Sequence, residues 1–238
     1  MTRRRTRNQL RSAITKRDFA LIETFFDEGW SIDRRLSRNE DTCLILAAEQ
    51  GQLDLFESIM SHGPNIDLFD GCCETALHKA ADFDTIRRQI RWNELESISG
   101  YESDWNYDVA VQKVAGAQHR LIARRLIDAG AQIDLKNHWG RTPLLLAAHN
   151  GDSELVRALI DAGADINTED NEQETVLMYA VEVGHEDIVE MLIAAGADVN
   201  ATTDEGLTVL RWARDDDARK INVRKMLIGA GARKKVFE

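Results

Sequence analysis

Proline is nearly absent: Pro64 and Pro143 are the two in 238 residues, so long helices are seldom interrupted. Cysteine is scarce too. Cys43, Cys72 and Cys73 are too few and too irregularly spaced for a disulfide framework or a zinc site. The adjacent Cys72 and Cys73 read as a small buried thiol beside a turn thiol rather than a redox centre. Aromatic residues make up 6%, which leaves the core to Leu, Ile, Val and Ala. No apolar run approaches the ~20 residues that span a membrane, and the basic start lacks the apolar stretch of a secretory signal. A cytoplasmic, reducing setting is expected, with no membrane partner.

What is present is the mixture of a folded chain, 43% hydrophobic and 30% charged. The net charge of -11 is unevenly spread. Residues 1–17 hold seven basic side chains and no acid, leaving 23 basic against 41 acidic residues over 18–238. So acidic a body repels phosphate backbones, which disfavours nucleic acid as the main partner. The basic start reads as a solvated terminus; the other reading is an anion-seeking arm.

Self-comparison exposes a period. Thr42, Thr75, Thr142, Thr175 and Thr208 each open a similar segment, 33 residues apart except for the step 75→142, which is 67. The excess is an insertion of 34 residues. Gly63, Gly163 and Gly196 each follow their threonine by 21 residues, Gly130 fits once the insertion is removed, and Gly231 is late by two.

Within 142–163 a threonine and a proline suited to a helix start precede Leu144–Ala148. Asn150-Gly151 breaks that helix. Leu155, Val156, Leu159 and Ile160 then form one apolar stripe of a second helix, ended by Gly163, which can take a left-handed turn. Helices this short cannot each bury a face alone, so the units must stack.

These segments resemble the ankyrin repeat, which runs threonine-proline-leucine-histidine, two alanines, a glycine, a Val/Leu-rich helix and Gly-Ala-Asp-Val-Asn. The matching stretches are Thr142-Pro143-Leu144-Leu145-Leu146-Ala147-Ala148, Thr75-Ala76-Leu77-His78-Lys79-Ala80-Ala81, Gly184-His185 and Gly196-Ala197-Asp198-Val199-Asn200. The resemblance implies an all-α ankyrin-repeat solenoid forming a single domain over 1–238. Its helix-turn-helix units are about 6–38, 39–69, 70–136, 137–169, 170–202 and 203–238. The first lacks the threonine marker, as a capping unit would. The last, with Val209-Leu210-Arg211 and a lengthened Asp215-Asp216-Asp217 break, suits a cap facing water.

The insertion, about 82–117, falls between the helices of the third unit. Ile86 and Ile90 predict that the first helix runs past Ala81 toward residue 98, and Val109, Val114 and Leu121 predict that the second starts near 106. With a turn at 99–104, the expectation is a helical hairpin. Trp92, Tyr101, Trp105 and Tyr107 lie there, either packing it against its own unit or forming a second contact surface.

Chemistry is absent from the pattern. The six histidines (His62, His78, His119, His138, His149 and His185) form no H-E-x-x-H or other spaced ligand set. No phosphate-binding glycine loop or G-x-S-x-G elbow occurs. No enzyme, metal or cofactor is expected.

Ankyrin proteins commonly bind along a concave side through turn tips and first-helix ends. Carried over by position, the tips are His138, Trp139 and Arg141; Asn171, Glu172 and Glu174; and Asp204, Glu205 and Leu207. Earlier tips give Arg38, Asn39, Asp41 and Glu74. The helix ends add His149, Asn150 and Glu182. With Glu169 and Asp170, the later tips make an acidic field beside Trp139, an apolar anchor that folding does not require. The resemblance and the charge together imply a non-catalytic interaction module with a basic protein partner, in one form an intracellular inhibitor or antidote. A nucleic-acid-associated regulator using the basic arm, and a secreted effector directed at host proteins, are the alternatives.

Overall fold

The computed structural model describes residues 6–82, 104–213 and 220–233, and of 104–115 the backbone course alone. The chain divides into two compact units, Met1–Gln132 and Ile133–Glu238. Among the described residues the structure is helical, with β-like pairing confined to isolated bridges.

In the first unit, α1 (Arg7–Thr15) packs on α2 (Phe19–Asp27), α3 (Cys43–Glu49) on α4 (Leu53–Ser61), and α5 (Ala76–Ala81) on α6 (Asp104–Asp128). First helices also touch first helices, α1 with α3 and α3 with α5, while α4 meets α6. The second unit repeats this with α7 (Pro143–Asn150), α8 (Ser153–Asp161), α9 (Val176–Val183) and α10 (Glu186–Ala194). It ends in a 3-10 turn (Val209–Arg211) packed on α9 and a helix α11 (Ile221–Gly229) packed on α10.

Local chemistry explains the helix limits. The hydroxyls of Thr42, Thr75, Thr142 and Thr175 each accept the backbone N–H three residues on, capping the first helix of each layer. Pro143 occupies the first turn of α7, where its missing donor costs nothing. The N-terminal layer also has its threonine: Thr6 caps α1 in a reciprocal pair with Gln9. The sequence hid it because it lies out of phase with the others.

First helices are buried almost all round, as in Leu144–Ala148 and Val176–Val181. Second helices bury one stripe, such as Leu155, Val156 and Leu159. Each fully buried leucine contributes roughly 1.5–3 kcal/mol.

Layers are registered by side-chain bonds. Asp134 Oδ1 accepts the Asp165 N–H (3.1 Å), Asn167 Oδ1 the Asp198 N–H (2.8 Å) and Asn200 Oδ1 the Arg233 N–H (3.0 Å). The first unit repeats the device with Asp33 to Asn65 (3.0 Å) and Asp67 to Gln132 (2.9 Å). Each bond fixes one layer's loop against the next, so stacking does not slip.

One expectation fails. α5 stops at Ala81: Asp82 has φ -95 and ψ 100, an extended conformation that ends the helix, so it does not continue unbroken toward residue 98. Ile86 and Ile90 carry a helical spacing, but periodicity within a later stretch does not fix the backbone at residue 82. α6 begins at Asp104, two residues from the expected start. Residues 83–103, with Trp92 and Tyr101, lie outside the described residues, as do the side chains of Trp105 and Tyr107 and the Asp215–Asp217 break.

Candidate protein-binding face

The predicted tip residues sit on three turns of the second unit, each built around one short polar side chain. Asn137 Oδ1 accepts the N–H groups of Trp139 and Arg141 (both 3.0 Å). Asp170 Oδ1 accepts those of Glu172 (2.9 Å) and Glu174 (3.0 Å), and Thr203 Oγ1 accepts that of Leu207 (3.3 Å). In each turn the central residue's own N–H bonds the carbonyl across the tip, Asn137 to Arg141, Asp170 to Glu174 and Thr203 to Leu207. Ser37 and Asp70 occupy the same position in the first unit, accepting from Asn39 and from Cys72 and Glu74. This marker, five residues before each threonine, escaped sequence reading because Ser, Asp, Asn and Thr share only a side-chain oxygen.

The first two of these turns are locked together. Asn171 donates its N–H to the Trp139 carbonyl (3.1 Å) and its amide to the His138 carbonyl (3.0 Å). Gly140 has φ +78, and a Cβ there would lie 2.5 Å from Asn171 Oδ1. The clamp therefore needs glycine, both for its left-handed backbone and for the close approach. It holds Trp139 out: the indole is 48% exposed, with the His138 ring edge-on at 5.8 Å.

Behind the tips lies a cluster that the sequence did not reveal. Tyr179 on α9, buried, donates its hydroxyl to Asp170 Oδ2 (2.8 Å). The His149 ring at the end of α7 stands edge-on to it at 5.5 Å, and the Arg141 guanidinium lies over it at 5.2 Å. Arg141 also approaches Asp170 Oδ2 at 3.8 Å. Burial and the Asp170 bond push the Tyr179 phenol well above its usual range, against the opposing pull of Arg141. The signal was available as an aromatic nine residues after Asp170, but nothing in the sequence says that they touch.

The structure sorts the predicted residues. His138, Trp139, Glu169, Asn171, Glu172, Glu182, Asp204 and Glu205 are exposed, and Arg141, His149, Asn150, Glu174 and Leu207 are half-buried. Asp170 leaves the acidic field, since it is buried and committed to its turn. Asp41 and Glu74 in the first unit are likewise buried. Glu174 has its carboxyl raised above the ordinary range, first by burial and then by Asp170, Glu182 and Glu172, with Arg141 acting the other way.

Among the described residues no group of three or more His, Cys, Asp or Glu is placed to hold a metal ion, and no helix is long and apolar enough to cross a membrane. Residues 109–203 match the family model described as ankyrin repeats (3 copies), and residues 44–88 match ankyrin repeats (many copies). Together these ranges take in more than half of the chain. The chain belongs to the ankyrin-repeat family. It is 26% identical over 156 residues to ankyrin repeat protein FPV222 of Fowlpox virus (strain NVSL), covering 63% of this chain and 20% of the relative. It is 27% identical over 122 residues to a transient receptor potential cation channel subfamily A member 1 homolog of Caenorhabditis elegans, covering 50% of this chain and 10% of that protein. The chain thus spans a fifth or less of the relatives it matches. Ankyrin repeats generally serve as non-catalytic protein–protein interaction modules.

Proposed function

We propose that the turn tips and first-helix ends of 133–238 form a docking face for a positively charged protein, with Trp139 as the anchor. The observation that carries this is the juxtaposition at the locked turns. A half-exposed indole is held rigidly beside a repeat, 170–202, with eight acidic residues and no lysine or arginine. Over 133–213 the balance is 16 acidic to four basic side chains. One of the four, Arg141, is turned inward onto Tyr179 and Asp170. Such a field speeds encounter with a cationic surface, and a rigid Trp supplies contact area at little entropic cost. Occlusion of a basic protein's working surface is the form of activity that this face suits, which makes the module an inhibitor or antidote.

The test is capture from source-cell extract by wild-type chain, by Trp139→Ala and by Glu172→Lys with Glu174→Lys. A basic protein retained by the first and lost by both variants supports the reading. Equal retention by all three, or an acidic partner, overturns it.

A further inference from the structure

The sequence assigned one of the adjacent cysteines to the interior. The structure places neither there: Cys72 is half-buried and Cys73 is exposed, while Cys43 at the start of α3 is the buried thiol. Cys72 and Cys73 occupy the tip of the turn built on Asp70. The turn's own bonds all run through backbone and Asp70. Asp70 Oδ1 accepts the N–H groups of Cys72 (2.8 Å) and Glu74 (2.9 Å), and the Cys73 N–H bonds the Asp70 carbonyl (3.0 Å). Asp70 Oδ2 is held in turn by Lys79 Nζ at 2.9 Å. Neither thiol takes part.

The sister turns show that the fold does not ask for cysteine here. The position of Cys73 is left-handed in every such turn (φ 59), and is filled elsewhere by Glu40, Gly140, Gln173 and Gly206. The position of Cys72 is filled by Asn39, Trp139, Glu172 and Glu205, outward-pointing tip residues. Two thiols thus stand next to each other on a rigid surface turn with no structural duty, close enough that charge on Cys73 acts on Cys72.

We propose that Cys72 and Cys73 are a surface dithiol that closes to a disulfide by exchange with a low-molecular-weight disulfide such as oxidised glutathione. The Cys73 thiolate attacks one sulfur of the reagent, breaking its S–S bond, forming a mixed disulfide and releasing one glutathione thiolate, which takes up the proton that Cys73 lost. The Cys72 thiol, deprotonated to water, then attacks the Cys73 sulfur and expels the second glutathione as its thiol. Two cysteine thiols are oxidised and one glutathione disulfide is reduced to two glutathiones. The order follows from environment. Cys73 is open to reagent, whereas burial and the nearby Asp70 and Glu74 carboxylates raise the Cys72 thiol, so it serves as the resolving partner. Adjacency supplies the high effective concentration that the second step needs. Cys43 takes no part, because burial pushes its thiol up to about 12.

The full chain is incubated with excess oxidised glutathione, then alkylated under native conditions and mapped by mass spectrometry. The expected product has lost two hydrogens at Cys72–Cys73, resists alkylation there and carries no glutathione, while Cys43 is alkylated only after unfolding. In Cys72→Ser the reaction stops at a glutathione adduct on Cys73 that persists at least about tenfold longer than in wild type. Wild-type chain that keeps both surface thiols alkylatable, or accumulates glutathione on them without ring closure, overturns the proposal. An adduct in Cys72→Ser no longer-lived than in wild type does so as well.

Discussion

At Gly140 two demands coincide, a backbone at φ +78 and a gap too narrow for a methyl group against Asn171. Gly140→Ala should therefore cost more than the strain of a left-handed alanine alone, about 2–3 kcal/mol in the unfolding of 133–238. Chemical denaturation checks this, and loss of Trp139 anchoring should accompany it. Glu174 offers a residue-scale test through pH. Its carboxyl is raised in the folded chain, by burial first and by its acidic neighbours next. A group whose folded pKa exceeds its unfolded value contributes its stability below the unfolded pKa and loses it as pH rises through the folded one. At neutral pH ionised Glu174 is thus a net burden on the fold. Glu174→Gln should melt above wild type at pH 7, and the gap should close below about pH 4, where both carry neutral side chains. A variant that melts lower at pH 7 contradicts the assignment.

Elements are fixed by interactions of very different legibility. Threonine caps could be read directly, because hydroxyl and amide lie three residues apart in any sequence. The turn centres Ser37, Asp70, Asn137, Asp170 and Thr203 hold the same period of 33, yet no shared residue name announces them. What repeats is a geometry, one oxygen taking the N–H groups two or four residues on. The end of α5 was illegible for the opposite reason: the apolar spacing at Ile86 and Ile90 was visible, but its connection to Ala81 was assumed. Likewise the outward tips of the face followed from repeat position, whereas the burial of Asp170 against Tyr179 depended on a contact between α9 and its own preceding turn. The turn centre is open to test. Asp170→Ala strands two backbone donors and the Tyr179 hydroxyl, at a cost of about 3 kcal/mol. Asp170→Asn should recover most of it, since Asn137 performs the same task in the neighbouring turn. Equal damage from both substitutions, measured in thermal melts, implies that charge on Asp170 matters more than its oxygen geometry.

Across the whole molecule, the question is whether partners answer to the total charge or to its placement. At physiological salt the Debye length is about 8 Å, so exposed charges beyond that distance are largely screened and those on the docking face dominate encounter. Two double variants separate the cases, because each moves the net charge from -11 to -7. Glu172→Lys with Glu174→Lys alters the tip of the turn locked to Trp139. Asp187→Lys with Glu190→Lys alters exposed residues of α10, a second helix away from the tips. If placement governs, the first pair slows association with a basic partner several-fold and flattens its salt dependence, while the second leaves both near wild type. The dissociation rate should instead follow Trp139, which is released only when its contact area is exposed again. Stopped-flow association across a salt series reads both quantities. Equal slowing by the two pairs assigns the effect to overall charge, and the turn-tip face then has no special claim on the partner.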